Sequence, residues 1–263
     1  EGELSRFPWE VLHDGKHFLV ERTGGPAIPV RCIERRGAED PLATSSSLQV
    51  VFMAAAPEGV EPVLDFEAEE ARILRITEKL PLKLRVEESG CVQKLGDMWR
   101  RFQRDTFQVL HLSAQISSER SDVSHPYFVT ESLTGERCNV TGRELIESFV
   151  YRLPRLVVLS GWHIGRGGDA DAVRCMAETL VKEDIPAVLC LGSSALESGA
   201  GLEGSSRPIQ AESSEQAATH FYKRLAEGFP IDVALRSTYR RLREEKRPDW
   251  HLLRLYARAG QWG

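Results

Sequence analysis

Two stretches decide how this chain reads: Val109-Leu-His-Leu-Ser-Ala-Gln-Ile116 and Leu156-Val-Val-Leu-Ser-Gly-Trp-His163. Each opens on a short apolar run and breaks into small or polar residues. Runs of this length and composition suit buried strands, here Phe107 to Ser113 and Leu156 to Ser160. Three further runs read the same way: Leu48 to Ala55 (LQVVFMAA), Leu82 to Glu87 (LKLRVE) and Ile185 to Leu191 (IPAVLCL). Between and behind them lie patterns with apolar residues near helical spacing: Asp65 to Lys79, Val92 to Gln103, Ala170 to Glu183, Ser214 to Gly228 and Ile231 to Glu245. Helices alternating with short apolar strands predict an α/β fold, a mostly parallel sheet with helices on both faces. In such sheets sites form beyond the carboxyl ends of the strands. Ser113-Ala-Gln-Ile116 and Ser160-Gly-Trp-His163 are therefore the two places to look for chemistry.

The flanks are less regular. Phe7 to Leu12 suits a helical turn, while Phe18 to Val20 and Pro29 to Ile33 suit edge strands, broken by Gly15, Gly24, Gly25 and Pro26. The polar loop 37–47 (GAEDPLATSSS) divides an opening segment, 1–47, from the main domain, 48–263. Tyr127 to Val129 suggests a short strand, Thr141 to Val150 a helix, and Gly192 to Ser214, rich in Ser and Gly, a long loop.

The chain has 263 residues, 41% hydrophobic and 28% charged, as expected of a soluble globular protein with a sizeable core. Its formal net charge of -5, from 34 basic and 39 acidic residues, argues against nucleic acid as the partner. No apolar run is long enough to span a bilayer, so the expectation is a cytoplasmic chain without a membrane partner, or the ordered part of something longer. Five scattered cysteines, Cys32, Cys91, Cys138, Cys175 and Cys190, form no C-x-x-C pair. They argue against a disulfide framework and a structural zinc site, and no cofactor or metal is expected.

At the two strand ends the chain resembles the CHAT family, relatives of caspases and separase often fused to TPR repeats. The resemblance starts at Pro8-Trp-Glu10. It continues through the strand and turn Val50-Val-Phe-Met-Ala-Ala-Ala-Pro57 and the acidic stretch Leu64-Asp-Phe-Glu-Ala-Glu-Glu70. The family's histidine strand, V-L-H-L-S-x-H-G, is matched by Val109 to Ile116. Its cysteine strand, V-V-L-S-A-C-x-x-G, is matched by Val157 to Gly165. Further pieces follow in order: Ile185 to Val188, Ala217 to Tyr222, Leu225 to Gly228, Trp250, and Leu255-Tyr256. The resemblance implies a caspase-like sheet over nearly the whole chain. It also implies that the catalytic histidine position is Gln115 and the catalytic cysteine position Trp162.

A cysteine peptidase needs a thiolate and a titrating partner. A glutamine amide does not titrate near neutral pH, and an indole is no nucleophile. The neighbours differ too, with Ile116 in place of the usual glycine and Gly161 in place of alanine. Other candidates have plainer readings. His111 suits a packed histidine bonded to backbone, His163 a loop-surface group, and His125 a loop residue. Cys190 and Cys175 suit the core. Gly165-Arg-Gly-Gly168 is a tight turn that lacks a phosphate-loop ending, and Asp169 and Asp171 suit the start of a helix. Arg236, Arg240, Arg241 and Arg243, with Lys246, suit a solvated face balanced by Glu244 and Glu245. Glu197, Glu203 and Glu212 lie in the Ser/Gly stretch, which composition favours as flexible and which in active relatives shapes the substrate pocket.

Two functions follow. In the first, the chain is a catalytically degenerate pseudo-peptidase with Gln115 and Trp162 packed in a closed former site. Around them lie His111, Ser113, Ile116, Ser160, Gly161 and His163. It then serves as a protein-interaction or regulatory module, bound to a repeat-containing chain or a flanking domain. The resemblance suggests a bacterial defence or signalling assembly. In the second, it is an active hydrolase with relocated residues, Cys190 or a serine acting with His163 or His111. Ser113 follows His111 by two and would share its face of the strand. A plain scaffold role is not separable from the first by sequence.

Overall fold

The computed structural model describes residues 7–22, 27–33, 47–60, 66–102, 107–119, 122–150, 152–160, 170–191 and 211–259. In it the apolar runs become the centre of one sheet. The strands are β1 (Val30–Ile33), β2 (Leu48–Ala54), β3 (Leu82–Glu87), β4 (Val109–Ser113), β8 (Leu156–Ser160), β9 (Ala187–Leu191) and β10 (Leu253–Arg258). They are ordered β1-β10-β9-β8-β4-β2-β3. From β9 to β3 all neighbours are parallel; β10 runs antiparallel to β9 and carries β1 parallel on its outer side. This is the expected mostly parallel sheet.

Because side chains alternate across a strand, each central strand feeds two cores. Val51 and Met53, Leu110 and Leu112, Val157 and Leu159, and Val188 and Cys190 face one side. There they meet α2 (Val92–Arg101), α3 (Gly142–Glu147) and α4 (Ala170–Lys182) through Leu95, Trp99, Leu145, Met176 and Leu180. Val50 and Phe52, Val109, Leu156 and Val158, and Leu189 and Leu191 face the other. There they meet α1 (Phe66–Thr77), α5 (Ala211–Ala226) and α6 (Ile231–Glu244) through Ile73, Phe221, Tyr222, Leu235 and Tyr239. Helices thus cover both faces. A strand buried on both faces reads as a continuous apolar run, which is why β2, β4, β8 and β9 could be found in the sequence.

The structure departs from the sequence reading in several places. Gln115-Ile116, expected as loop, opens β5 (Gln115–Glu119), the first strand of a separate antiparallel sheet. The rest of that sheet is β6 (Asp122–Glu131) and β7 (Arg137–Thr141). The short strand expected at Tyr127 to Val129 is the middle of β6, and His125 is an exposed strand residue rather than part of a loop. One face of this small sheet sends Ile116, Phe128 and Val140 into the core beneath α4. Its other residues are mixed, so the stretch shows no apolar run. α3 starts one residue after Thr141, which forms a reciprocal capping box with Glu144. Phe18 to Val20 is not an edge strand. A single bridge, His13 to Phe18, and a 3-10 turn at Leu19–Glu21 take its place, held by the Leu19 N–H donating to Leu12 O at 2.8 Å. The other turn, at Trp9–Val11, lies where expected.

β10 had no expectation attached. Residues 211–214, expected as loop, belong to α5. Residues 37–46, 161–169 and 192–210 lie outside the described residues, apart from which β1 of the opening segment is an edge strand of the main sheet. The arginines of α6 are not a purely solvated face. Arg241 pairs with Glu245 and Arg240 is exposed, but Arg243 pairs with Glu21 and lies over the Phe18 ring, and Arg236 donates to the Arg22 carbonyl at 2.8 Å. Two of the arginines therefore hold the opening segment to the second core.

Candidate functional site

The carboxyl ends of β2, β4 and β8 stop in register, with Ala54 opposite Ser113 and Ser113 opposite Ser160. Ladder bonding runs one residue further: the Ala55 N–H donates to Ser113 O at 2.8 Å, and the Ala114 N–H to Ser160 O at 3.3 Å. This edge is drawn tight against the small sheet. Glu131, the last residue of β6, accepts from the Ala56 N–H at 3.1 Å, and its own N–H donates to Gly90 O at 3.0 Å. Gly90 has a φ of 61°, and a Cβ there would lie 2.6 Å from Glu131 Oε1 and 3.0 Å from Ala54 O. Only glycine fits that corner.

Gln115 is 9% exposed, between Ala114 and Ile116, each 2% exposed. Its Cα is registered with Val129 of β6. The position that the resemblance gives to the catalytic histidine is thus a buried strand residue at the mouth of the small sheet. Gly161, Trp162 and His163 lie outside the described residues, as does Asp169.

His111 and Ser160 are brought together, although they sit on different strands. The His111 ring is fully buried, with Nε2 2.6 Å from Ser160 Oγ and Nδ1 2.8 Å from the Tyr222 hydroxyl. Phe52 meets the ring edge-on at 5.3 Å. Side chains, rather than backbone as expected, occupy both nitrogens. Burial lowers the His111 pKa to about 3, so the ring is neutral, with one donor and one acceptor nitrogen. The chain of bonds Tyr222–His111–Ser160 therefore has a direction: if one hydroxyl donates to the ring, the ring donates to the other. Ser113 shares the strand face with His111 and is 1% exposed.

This arrangement has the outline of a nucleophile, a base and an orienting group. Its chemistry is that of a core. Ser160 is 2% exposed, and a base with a pKa near 3 has little affinity for a hydroxyl proton at neutral pH. The thiols are no better placed. Burial pushes Cys190 up to about 12 and also raises Cys175, so neither is a thiolate near neutral pH. Asp171 lies in the first turn of α4, as expected, 3.3 Å from Arg174. No group of three or more metal-ligating side chains occurs among the described residues. Nor is any helix among them long and apolar enough to cross a membrane.

Sequence reasoning missed Tyr222 as a partner of this site, and it missed the buried ion pair of Glu10 with Arg31. A weak signal was present for the first: His111, Ser113 and Ser160 interrupt otherwise apolar strands with period two on one face.

No curated protein matches this chain. Among solved structures, the pyridoxal kinase from Staphylococcus aureus in complex with AMP-PCP is similar over 73% of this chain and 85% of its own, with 10% identity and a TM-score of 0.39. Pyridoxal kinase from Lactobacillus plantarum is similar over 80% of this chain and 94% of its own, with 11% identity and a TM-score of 0.32. Scores this low carry no argument. The family comparison is of another order, since the model of the CHAT domain matches residues 1–262. That span takes in every described element, and the mixed, mostly parallel sheet between two helical layers agrees with it. The chain belongs to the CHAT domain family, in the caspase- and separase-like peptidase clan.

Proposed function

We propose that this CHAT domain is a catalytically degenerate pseudo-peptidase and acts as a protein-interaction or regulatory module. The observation that carries the reading is Gln115. Four residues beyond His111, where the family's motif calls for the titrating histidine, stands an amide that neither takes up nor releases a proton near neutral pH. Trp162 at the cysteine position supports it from the sequence. Three features of the fold support it too: Gln115 is buried, the histidine nearest to it along β4 is neutral and buried, and Cys190 is held as a thiol. Its partner is then a protein, either a repeat-containing chain or a flanking domain, in a bacterial defence or signalling assembly of the cytoplasm. The domain division at residue 47 belongs to the same reading.

An active hydrolase with relocated residues is the second reading, and one distance favours it: the 2.6 Å between Ser160 Oγ and His111 Nε2. The two readings part in one assay. The protein is incubated with a proteome-derived peptide library and new termini are sequenced by mass spectrometry. The pseudo-peptidase yields no cleavage above a heat-treated control. Cleavage that disappears in Ser160→Ala would establish the second reading instead.

A further inference from the structure

β3 ends the seven-stranded sheet, paired with β2 on one side and, among the described residues, with no strand on the other. Its exposure agrees with that place. Where β4, β8 and β9 are buried along their whole length, Leu82, Leu84, Arg85 and Val86 are only half-buried and Lys83 is exposed. An edge strand carries a row of N–H and C=O groups turned away from its sheet, and an extended chain is the partner that satisfies them in series.

The two faces of this edge differ. Side chains alternate, so Leu82, Leu84 and Val86 look toward α1, and Lys83 and Arg85 toward α2. On the first face a cleft of about 460 Å³ opens between β3 and the last turn of α1. Leu74, Leu80, Leu82 and Leu84 line it, and Leu74 is 46% exposed. On the second face Arg85 lies over the Phe102 ring at 3.6 Å. Phe102 shares a helical row with Met98 and Lys94; the first two are half-buried and Lys94 is exposed. Charge on this face is unbalanced. Lys83, Arg85, Lys94 and Arg101 outnumber Glu88 and the buried Glu87, whose Oε1 accepts from Ser89 Oγ at 2.7 Å. Asp97 and Arg100 pair with each other at 2.6 Å. Residues 103–106, which come next in the sequence, hold one charge of each sign, Arg104 and Asp105.

A second copy of β3 fits this edge poorly. Antiparallel registers centred on Lys83, Leu84 or Arg85 set Lys83 opposite Lys83, Lys83 opposite Arg85, or Arg85 opposite Arg85. Like charges directly opposite are repulsive in a sheet.

We propose that the β3 edge receives an extended segment of a partner protein as an added strand. Its alternate side chains are apolar and lie in the cleft beside Leu74 and Leu84, and the intervening ones are acidic and lie beside Lys83 and Arg85. Main-chain bonds supply the affinity, and the alternation selects the segment. The edge includes neither Gln115 nor Trp162, so it stands whether or not those positions are catalytic.

The test is fluorescence anisotropy with the full chain at fixed ionic strength. The probe is a fluorescein-labelled, amidated heptapeptide that alternates valine and glutamate. One counterpart has lysine for glutamate, and another has the same residues in two blocks, valines first. The alternating acidic peptide should bind at least about tenfold tighter than either. Lys83→Glu should weaken it about tenfold and improve the lysine peptide. Leu74→Gln should weaken it about threefold without changing the preference for charge. Both substitutions change exposed residues and leave the core intact. No binding by the parent, equal binding of either counterpart, or binding indifferent to both substitutions would overturn the proposal. A dimer of the parent in sedimentation that Lys83→Glu alters would give the edge to a second copy instead.

Discussion

His111 sits among apolar neighbours, and two of its partners come from different elements, Ser160 of β8 and Tyr222 of α5. It pins a strand to its neighbour and to the helix above, so its role is visible only once the chain is folded. Two outcomes follow at this scale. Tyr222→Phe removes the hydroxyl 2.8 Å from Nδ1 of this buried ring and should cost about 1–3 kcal/mol in denaturant titration. The pH dependence has a definite sign. Below about pH 6.5 the unfolded chain takes up a proton at this imidazole, which the folded chain refuses until about pH 3. Stability is thus fully present above pH 6.5 and falls as the pH drops toward 3, by up to about 1.4 kcal/mol per pH unit. His220 and His251, also lowered by burial, act in the same direction. Urea titrations across this range should show a shallower slope in His111→Leu, whatever that variant costs at neutral pH.

The strands β2, β4, β8 and β9 were legible because burial on both faces keeps them mostly apolar, interrupted only by Gln49, His111, Ser113 and Ser160. The helices were legible because each has one buried stripe. The small sheet was not. β5 reads QISSE, and its single apolar residue, Ile116, gives no period; the fold places it by pairing with β6. β10 was missed for a different reason: Arg254 and Arg258 break what would otherwise be an apolar strand, although both are buried. The corner at Gly90 tests how the two sheets are joined. Gly90→Ala places a methyl group against the Ala54 carbonyl and the Glu131 carboxylate at a positive φ. It should destabilise by about 2 kcal/mol or more, read as a lower urea midpoint. Arg243→Ala removes the contacts with Glu21 and Phe18, and limited proteolysis should then cut the opening segment before the main domain.

At the scale of the whole molecule, the family and the fold were legible from ordered short motifs, none of them specific alone. The proposal that the catalytic edge is degenerate rests on two residue types at two positions, Gln115 and Trp162. What sequence could not supply was the interior: the neutral His111 and the Cys190 thiol, which burial pushes up to about 12. These arise from burial, which depends on contacts between residues far apart in the chain. The central claim is that this peptidase fold carries no working nucleophile. The most direct measurement treats the purified chain with a panel of peptidyl thiol-reactive electrophiles, with and without cell extract, and maps the adducts by mass spectrometry. The account predicts slow, scattered labelling in both conditions, with Cys190 labelled only after denaturation. Rapid labelling of one cysteine in the folded chain, lost on denaturation, would contradict it.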